Sequence, residues 1–209
     1  MPAPELSDLV VPVRTAVLVQ EVQEGTLGAG AALSTLAAAS EEAGLVGRIA
    51  GLLKSARASG VKVVHCTAQM LPGSFGANHN ARLFGAARRL GLDEHGLGAD
   101  GARPSAELDP DHADLVLPRY HGLSPLTGTQ LDSLLRNDGI TTLVVTGISL
   151  NVAIPNLVFD AVNRSYQVVV VSDAVVGVPA EYAAQVLRHT ISLVATVATA
   201  EEVRSAWAS

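Results

Sequence analysis

The segment Thr142-Thr-Leu-Val-Val-Thr-Gly-Ile-Ser-Leu-Asn-Val-Ala-Ile-Pro-Asn-Leu-Val-Phe-Asp-Ala161 reads as a buried strand, a tight turn and a helix start in direct succession. Gly147 permits the turn, Asn151 is suited to cap the helix, and backbone N–H groups around residues 149–153 would face a ligand above the sheet. A nucleophile belongs in the first helical turn of such a unit. Ala153 stands there instead, and a methyl group neither attacks nor moves a proton. Glu21 ends an apolar run, either as an acid that transfers protons or as a carboxylate bonded to backbone amides. Cys66 belongs to the carboxyl end of a second strand beside His65. Adjacent strand residues point to opposite faces, so His65 is badly placed to activate the thiol, and a buried, inert Cys66 is expected over a catalytic one. His121 sits in a loop, as an acid/base, a substrate donor or a plain surface residue. Asn78, His79, Asn80 and Arg82 form a polar group that fits either a small anionic or amide ligand or solvent.

Strands and helices must alternate to position these side chains. After a short extended arm, residues 15–21 form a first core strand, and the stretch from Glu24 through a Gly/Ala-rich segment to Leu33 forms a loop. Ser40 is placed to cap a helix bearing Leu45, Ile49, Leu52, Leu53 and Ala56 at helical spacing, which Gly60 ends. Residues 61–66 are strand two, 67–80 a pocket-lining loop, 81–90 a helix, and 91–113 irregular surface structure. A short third strand covers 114–117. Thr127 with Gln130 fits a capping box before an apolar stripe of Leu131, Leu134 and Leu135. A fifth strand over 166–171 is terminated by Ser172-Asp173, and Pro179 opens a helix at its first position. Residues 193–198 and 201–207 give a last strand and helix. The pattern predicts a single α/β domain over 1–209: three layers, α/β/α, around a six-stranded, mainly parallel, Rossmann-like sheet.

Composition narrows the partners. With 48% hydrophobic and 16% charged residues the chain should fold compactly. A net charge of −6 and 3% aromatic residues argue against a nucleic-acid partner. The single cysteine excludes an internal disulfide and a cysteine-based zinc site. The first residues show no basic and apolar signal-peptide regions, so a cytoplasmic location is expected. The apolar run 140–163 is broken by Thr146, Gly147, Asn151, Pro155, Asn156 and Asp160, and no membrane partner is expected.

Thr146-Gly-Ile-Ser-Leu-Asn-Val-Ala-Ile154, followed by Asp160-Ala161, resembles the cysteine-bearing block of the isochorismatase-like (cysteine hydrolase) superfamily, which includes nicotinamidases, N-carbamoylsarcosine amidohydrolases and isochorismatases. The resemblance runs from Thr15 to about Ala198. It sets Ala153 on the family's cysteine, implying a branch without that nucleophile. The family's first strand ends in an aspartate followed two residues later by glutamine, places held here by Glu21 and Gln23. The family's lysine past strand three falls on Arg119, which keeps the positive charge but not the ability to act as a base. A Glu21–Arg119 ion pair that only joins two loops is the alternative to a catalytic pair.

The isochorismatase branch cleaves a vinyl ether without a covalent nucleophile: an acid protonates carbon and water adds to the oxocarbenium ion. The resemblance therefore implies a hydrolase acting on a small polar or carboxylated metabolite through Glu21 and Arg119. Gln23, Cys66, Asn78, Asn80, His121, Ser149 and Asn151 are its candidate substrate contacts. A catalytically inactive relative that binds a metabolite or scaffolds an oligomer is the alternative, and it predicts a closed or apolar pocket. The resemblance further implies a cis peptide at Ile148–Ser149 and a homodimer or homotetramer, with residues 175–178 and Trp207 as candidate contacts. His65 and His79 lack the metal spacing of nicotinamidases, so neither a metal nor another cofactor is expected.

Overall fold

Runs of valine, leucine and alanine, buried on both faces in the central strands and partly exposed at the edges, make the six strands: β1 Thr15–Gln20, β2 Lys62–Ala68, β3 Leu115–Arg119, β4 Thr142–Ile148, β5 Gln167–Val176 and β6 Thr196–Ala198. They belong to a computed structural model that describes residues 4–28, 31, 33–92 and 97–208. The first three residues, parts of the Gly/Ala-rich segment (29–30 and 32), residues 93–96 of the irregular stretch and the last residue of the proposed domain lie outside that set. The sheet order is β3-β2-β1-β4-β5-β6, and every pairing is parallel. The helices are α1 Leu6–Leu9, α2 Glu24–Leu27, α3 Ser34–Glu42, α4 Leu45–Ala58, α5 Arg82–Arg89, α6 Leu131–Asn137, α7 Ala153–Asn163, α8 Ala180–His189 and α9 Ala200–Ala208. One apolar core packs α4 and α9 against the sheet through Ile49, Leu52, Leu53 and Val203. The other packs α6 and α7 against its opposite face through Leu131, Leu135, Ile154 and Leu157. Six strands between two helical layers is the arrangement the alternating pattern predicts.

Local readings fail where a polar side chain finds a nearer partner. The opening segment is not an extended arm, since α1 and a 3-10 turn at Pro12–Arg14 precede β1. Residues 24–27 are helical rather than loop, because the Gln23 N–H donates to Thr26 Oγ1 at 3.4 Å. Ser40 lies inside α3, its hydroxyl donating to the Leu36 carbonyl, and α4 starts after Gly44. Thr127 turns away from α6 to donate to Asp160, and Thr129 Oγ1 accepts the Leu131 N–H in its place. Leu134 is exposed, so Leu131 and Leu135 alone carry the α6 stripe inward.

β5 does not stop at Ser172-Asp173. Val145 pairs with Val170 and Gly147 with Val175, so the two polar residues ride in an irregularity of the ladder while the strand continues. Asp173 uses that position to accept the Ala200 N–H at 2.8 Å. Pro179 precedes the first residue of α8 rather than holding it. Two expected contact surfaces are interior: Val175 and Val176 are buried in β5, and Trp207 is buried with its indole N–H donating to the Val10 carbonyl at 2.9 Å. Among the described residues, no helix is long and apolar enough to cross a membrane.

Candidate active site

β1 and β4 lie side by side, yet the chain leaving β1 goes on to β2 on one side and the chain leaving β4 to β5 on the other. A crevice therefore opens at their carboxyl ends, as parallel sheets provide where the strand order reverses. Gly147 (φ +106) lets the strands close up there, because a Cβ would collide with the Gln20 backbone. A cavity of about 580 Å³ fills the crevice. Glu21 lines it from just past β1, Arg119 from the end of β3 and Ala153 from the first position of α7.

Glu21 adopts φ +54, which is uncommon for a residue with a side chain. Its N–H donates to the Cys66 carbonyl at 2.9 Å and its own carbonyl accepts from Thr26 Oγ1 at 2.6 Å, which holds the turn. Oε1 accepts from Gln20 Nε2 at 2.7 Å and from the Arg119 guanidinium. Arg119 also donates to the Gly122 carbonyl at 2.8 Å, while its Nε is buried with no hydrogen-bond partner among the described residues. The Arg119 and Glu21 side chains are 11% and 17% exposed, so the pair is sheltered from bulk water yet open to the cavity.

Asn78, His121, Ser149 and Asn151 line the same cavity. Asn78 accepts the Gly122 N–H at 2.6 Å and ties its loop to the segment after β3. The His121 ring rests on Gly128, where a Cβ would strike it. Asn151 does not cap α7: its amide oxygen accepts the Val178 N–H at 2.9 Å and its NH2 donates to the Val178 carbonyl, clamping the turn before α8. The backbone N–H groups of residues 149–153 are only partly free, since Leu150 and Val152 donate to Val176 and Ser149. The Ile148–Ser149 bond is cis.

Three named residues do not line the cavity. Gln23 is fully buried and spans Ala68 and Gly101, donating to both carbonyls at 2.8 Å and accepting the Ala68 N–H at 2.7 Å. Burial pushes the Cys66 thiol up to about 12, against the opposing pull of Arg119, so no reactive thiolate forms there. Asn80 is exposed and accepts from Asn78 Nδ2 at 3.2 Å. His65 turns away from Cys66 to Asp114, 3.0 Å distant. Among the described residues, no three His, Cys, Asp or Glu gather to hold a metal.

Sequence reasoning missed Gln20, which orients Glu21, and the apolar walls. Leu33, Leu36, Met70, Leu83, Phe84 and Leu90 make much of the cavity hydrophobic. The spacing of Leu83, Ala86, Ala87 and Leu90 carries the signal for one such wall. Chemically, the site offers a carboxylate, a fixed cation and space over Ala153. It can hold an anion and move a proton, but it forms no covalent bond at position 153.

A family model described as Isochorismatase domain matches residues 15–202. Ureidoacrylate amidohydrolase RutB from Methylorubrum extorquens is 34% identical over 142 residues, which are 62% of this chain and 56% of that protein. The chain thus spans just over half the length of that curated relative. RutB from Pantoea ananatis is 31% identical over 182 residues, 78% of this chain and 69% of the relative. The structure of a cysteine hydrolase from Pseudomonas syringae pv. phaseolicola superposes with a TM-score of 0.82 at 24% identity, covering 100% of this chain and 99% of the other.

Proposed function

The chain belongs to the isochorismatase domain family, and from that premise we propose a hydrolase that acts on a small carboxylated metabolite by acid-assisted addition of water, without a covalent intermediate. One observation carries this reading: Glu21, Arg119 and Ala153 share the wall of a single open cavity. The acid and the cation remain where the attacking atom does not. Oε1 of Glu21 accepts from both Gln20 and Arg119, so its lone pairs are engaged and leave no place for a proton. A substrate carboxylate that takes over the Arg119 fork frees Oε1 to carry one. Glu21 then gives its proton to a vinyl carbon of the substrate, water adds to the oxocarbenium carbon, and the proton shed by that water returns to Glu21. One water is consumed, and the hemiketal collapses to an alcohol and a ketone.

The curated relatives are named for amide hydrolysis of ureidoacrylate, so the test is a turnover screen of carboxylated vinyl ethers, amides and ureas. Wild-type protein converts at least one class. Glu21→Gln lowers kcat on that substrate by about 100-fold or more, and intact-mass spectra during turnover show no protein adduct. Undiminished turnover by Glu21→Gln, or an accumulating adduct, overturns the mechanism. The hydrophobic walls favour a second reading, a relative that binds without converting. It predicts compounds in the same screen that raise Tm while none is consumed.

A further inference from the structure

α5 is amphipathic, with much of its apolar side exposed among the described residues. Leu83, Ala86, Ala87 and Leu90 recur at the spacing that builds one helical face, and Arg82, Arg88 and Arg89 occupy the other. None of its residues is buried, and Leu83 and Leu90 are 47% and 58% exposed. Among the described residues it packs extensively against no other helix or strand. A helix of 8 residues is marginal in water unless its apolar face is covered. That face, with Phe84 beside it, is a wall of the cavity that also holds Glu21 and Arg119. The volume of about 580 Å³ lies in the range of small-molecule sites.

Resting on the site assigned above, we propose that the natural ligand is an amphipathic monocarboxylate: its anionic head meets Arg119, and its apolar body, alkyl or aryl, packs on the exposed apolar face of α5. Charge complementarity selects this class. Among the described residues the cavity lining offers one sheltered cation, Arg119, paired with Glu21 beside a broad hydrophobic wall; an anionic head that takes over the Arg119 fork and carries an apolar body satisfies both, while a small polar molecule leaves the wall wet. α5 is then the specificity-determining element, and the ligand body covers its apolar face when the site fills.

The test is calorimetric titration of the whole chain with butyrate, hexanoate, octanoate and decanoate, and with octylamine, which carries the same body on a cationic head. Affinity should tighten about fourfold per added methylene until the cavity is full, and octanoate should bind at least tenfold more tightly than octylamine. The variant Leu83→Ser/Phe84→Ser/Leu90→Ser removes no buried residue and should flatten the gain to under twofold per methylene. Ala87→Trp, which fills the cavity from within, should abolish the advantage of the longer acids and serves if the triple variant unfolds. A flat series in wild type, an undiminished gain in both variants, or octylamine equal to octanoate overturns the proposal. So does a wild-type sedimentation mass larger than that of the triple variant, which would make the covering partner a second copy of the chain. No turnover is read in this experiment. Length-dependent binding here, with no class converted in the turnover screen, would sink the proposed reaction alone, and a flat series beside screen turnover sensitive to Glu21→Gln would sink the amphipathic ligand alone.

Discussion

At position 153 the chain turns a methyl group toward the cavity, while its one sulfhydryl, Cys66, is sealed within β2 and held protonated by burial. Ala153→Cys should therefore create a labelling site that the native protein lacks. At pH 8, iodoacetamide should modify one equivalent of thiol in the folded variant and none in folded wild type, as read by intact mass, with Cys66 reacting only in urea. Labelling of native wild type would show that Cys66 is reachable; failure to label the variant would mean that position 153 does not open to the cavity. Glu21 and Ala153 were legible as places because a strand end and a first helical turn are fixed by the chain pattern itself. Arg119 needed the family comparison, since nothing local says which cation crosses from β3 to β1. Gln23 and Asn151 were assigned to substrate in the sequence, yet their amides satisfy backbone groups at Ala68, Gly101 and Val178. Such partners lie 27 to 78 residues away along the chain and leave no periodic trace.

The end of β3 and the segment after it carry the Arg119 and His121 wall of the cavity, and α7 fixes that segment through one carboxylate. Ser124 and Thr127 donate their hydroxyls to Asp160, and Arg164, just past the end of α7, bonds it as well. Burial alone would push the Asp160 carboxyl up, but these three donors hold it below its ordinary value of 3.8. Asp160→Ala should lower folding free energy by about 3 kcal/mol in urea titrations and weaken carboxylate binding at Arg119. A loss of stability with unchanged affinity would show that α7 does not set the geometry of that wall. The element pattern was readable where periodicity is strong, as in α4 and the central strands. It failed at β5, where turn-forming Ser172-Asp173 is tolerated inside a strand because the ladder slips there, and at α6, where Asp160 draws Thr127 away from the helix start.

Strand alternation predicts a parallel sheet, but not the order β3-β2-β1-β4-β5-β6, and that order alone brings the end of β1 and the start of α7 to one crevice. Parallel pairing also buries polar groups across the sheet, and one of them makes stability depend on pH. His65 is buried in β2; Nε2 faces Asp114 Oδ2 at 3.0 Å, and Nδ1 is buried with no hydrogen-bond partner among the described residues. The neutral ring with its proton on Nε2 fits this setting, whereas a second proton would leave a buried N–H unbonded. Burial accordingly lowers His65 below 6.5, outweighing the upward pull of Asp114. For Asp114 burial acts upward, but Arg57, His65 and the Asp111 N–H together hold it below 3.8.

Both groups bind protons more tightly when unfolded, so each stabilises the deprotonated fold. His65 contributes fully above pH 6.5, and its contribution drains as pH falls below that; Asp114 and Asp160 contribute above 3.8 and are lost below it. The net charge of −6 acts the other way, because acidification toward the pI of about 5.4 relieves self-repulsion. A comparison of wild type with His65→Gln cancels that shared effect. Urea titrations between pH 8 and pH 5 should show equal slopes for the two proteins above pH 6.5. Below it, wild type should lose stability relative to the variant at up to about 1.4 kcal/mol per pH unit, the value for one proton. Parallel curves across the whole range would mean that His65 takes up its proton in the fold as readily as in the unfolded chain, and with it that the buried Nδ1 has found an acceptor.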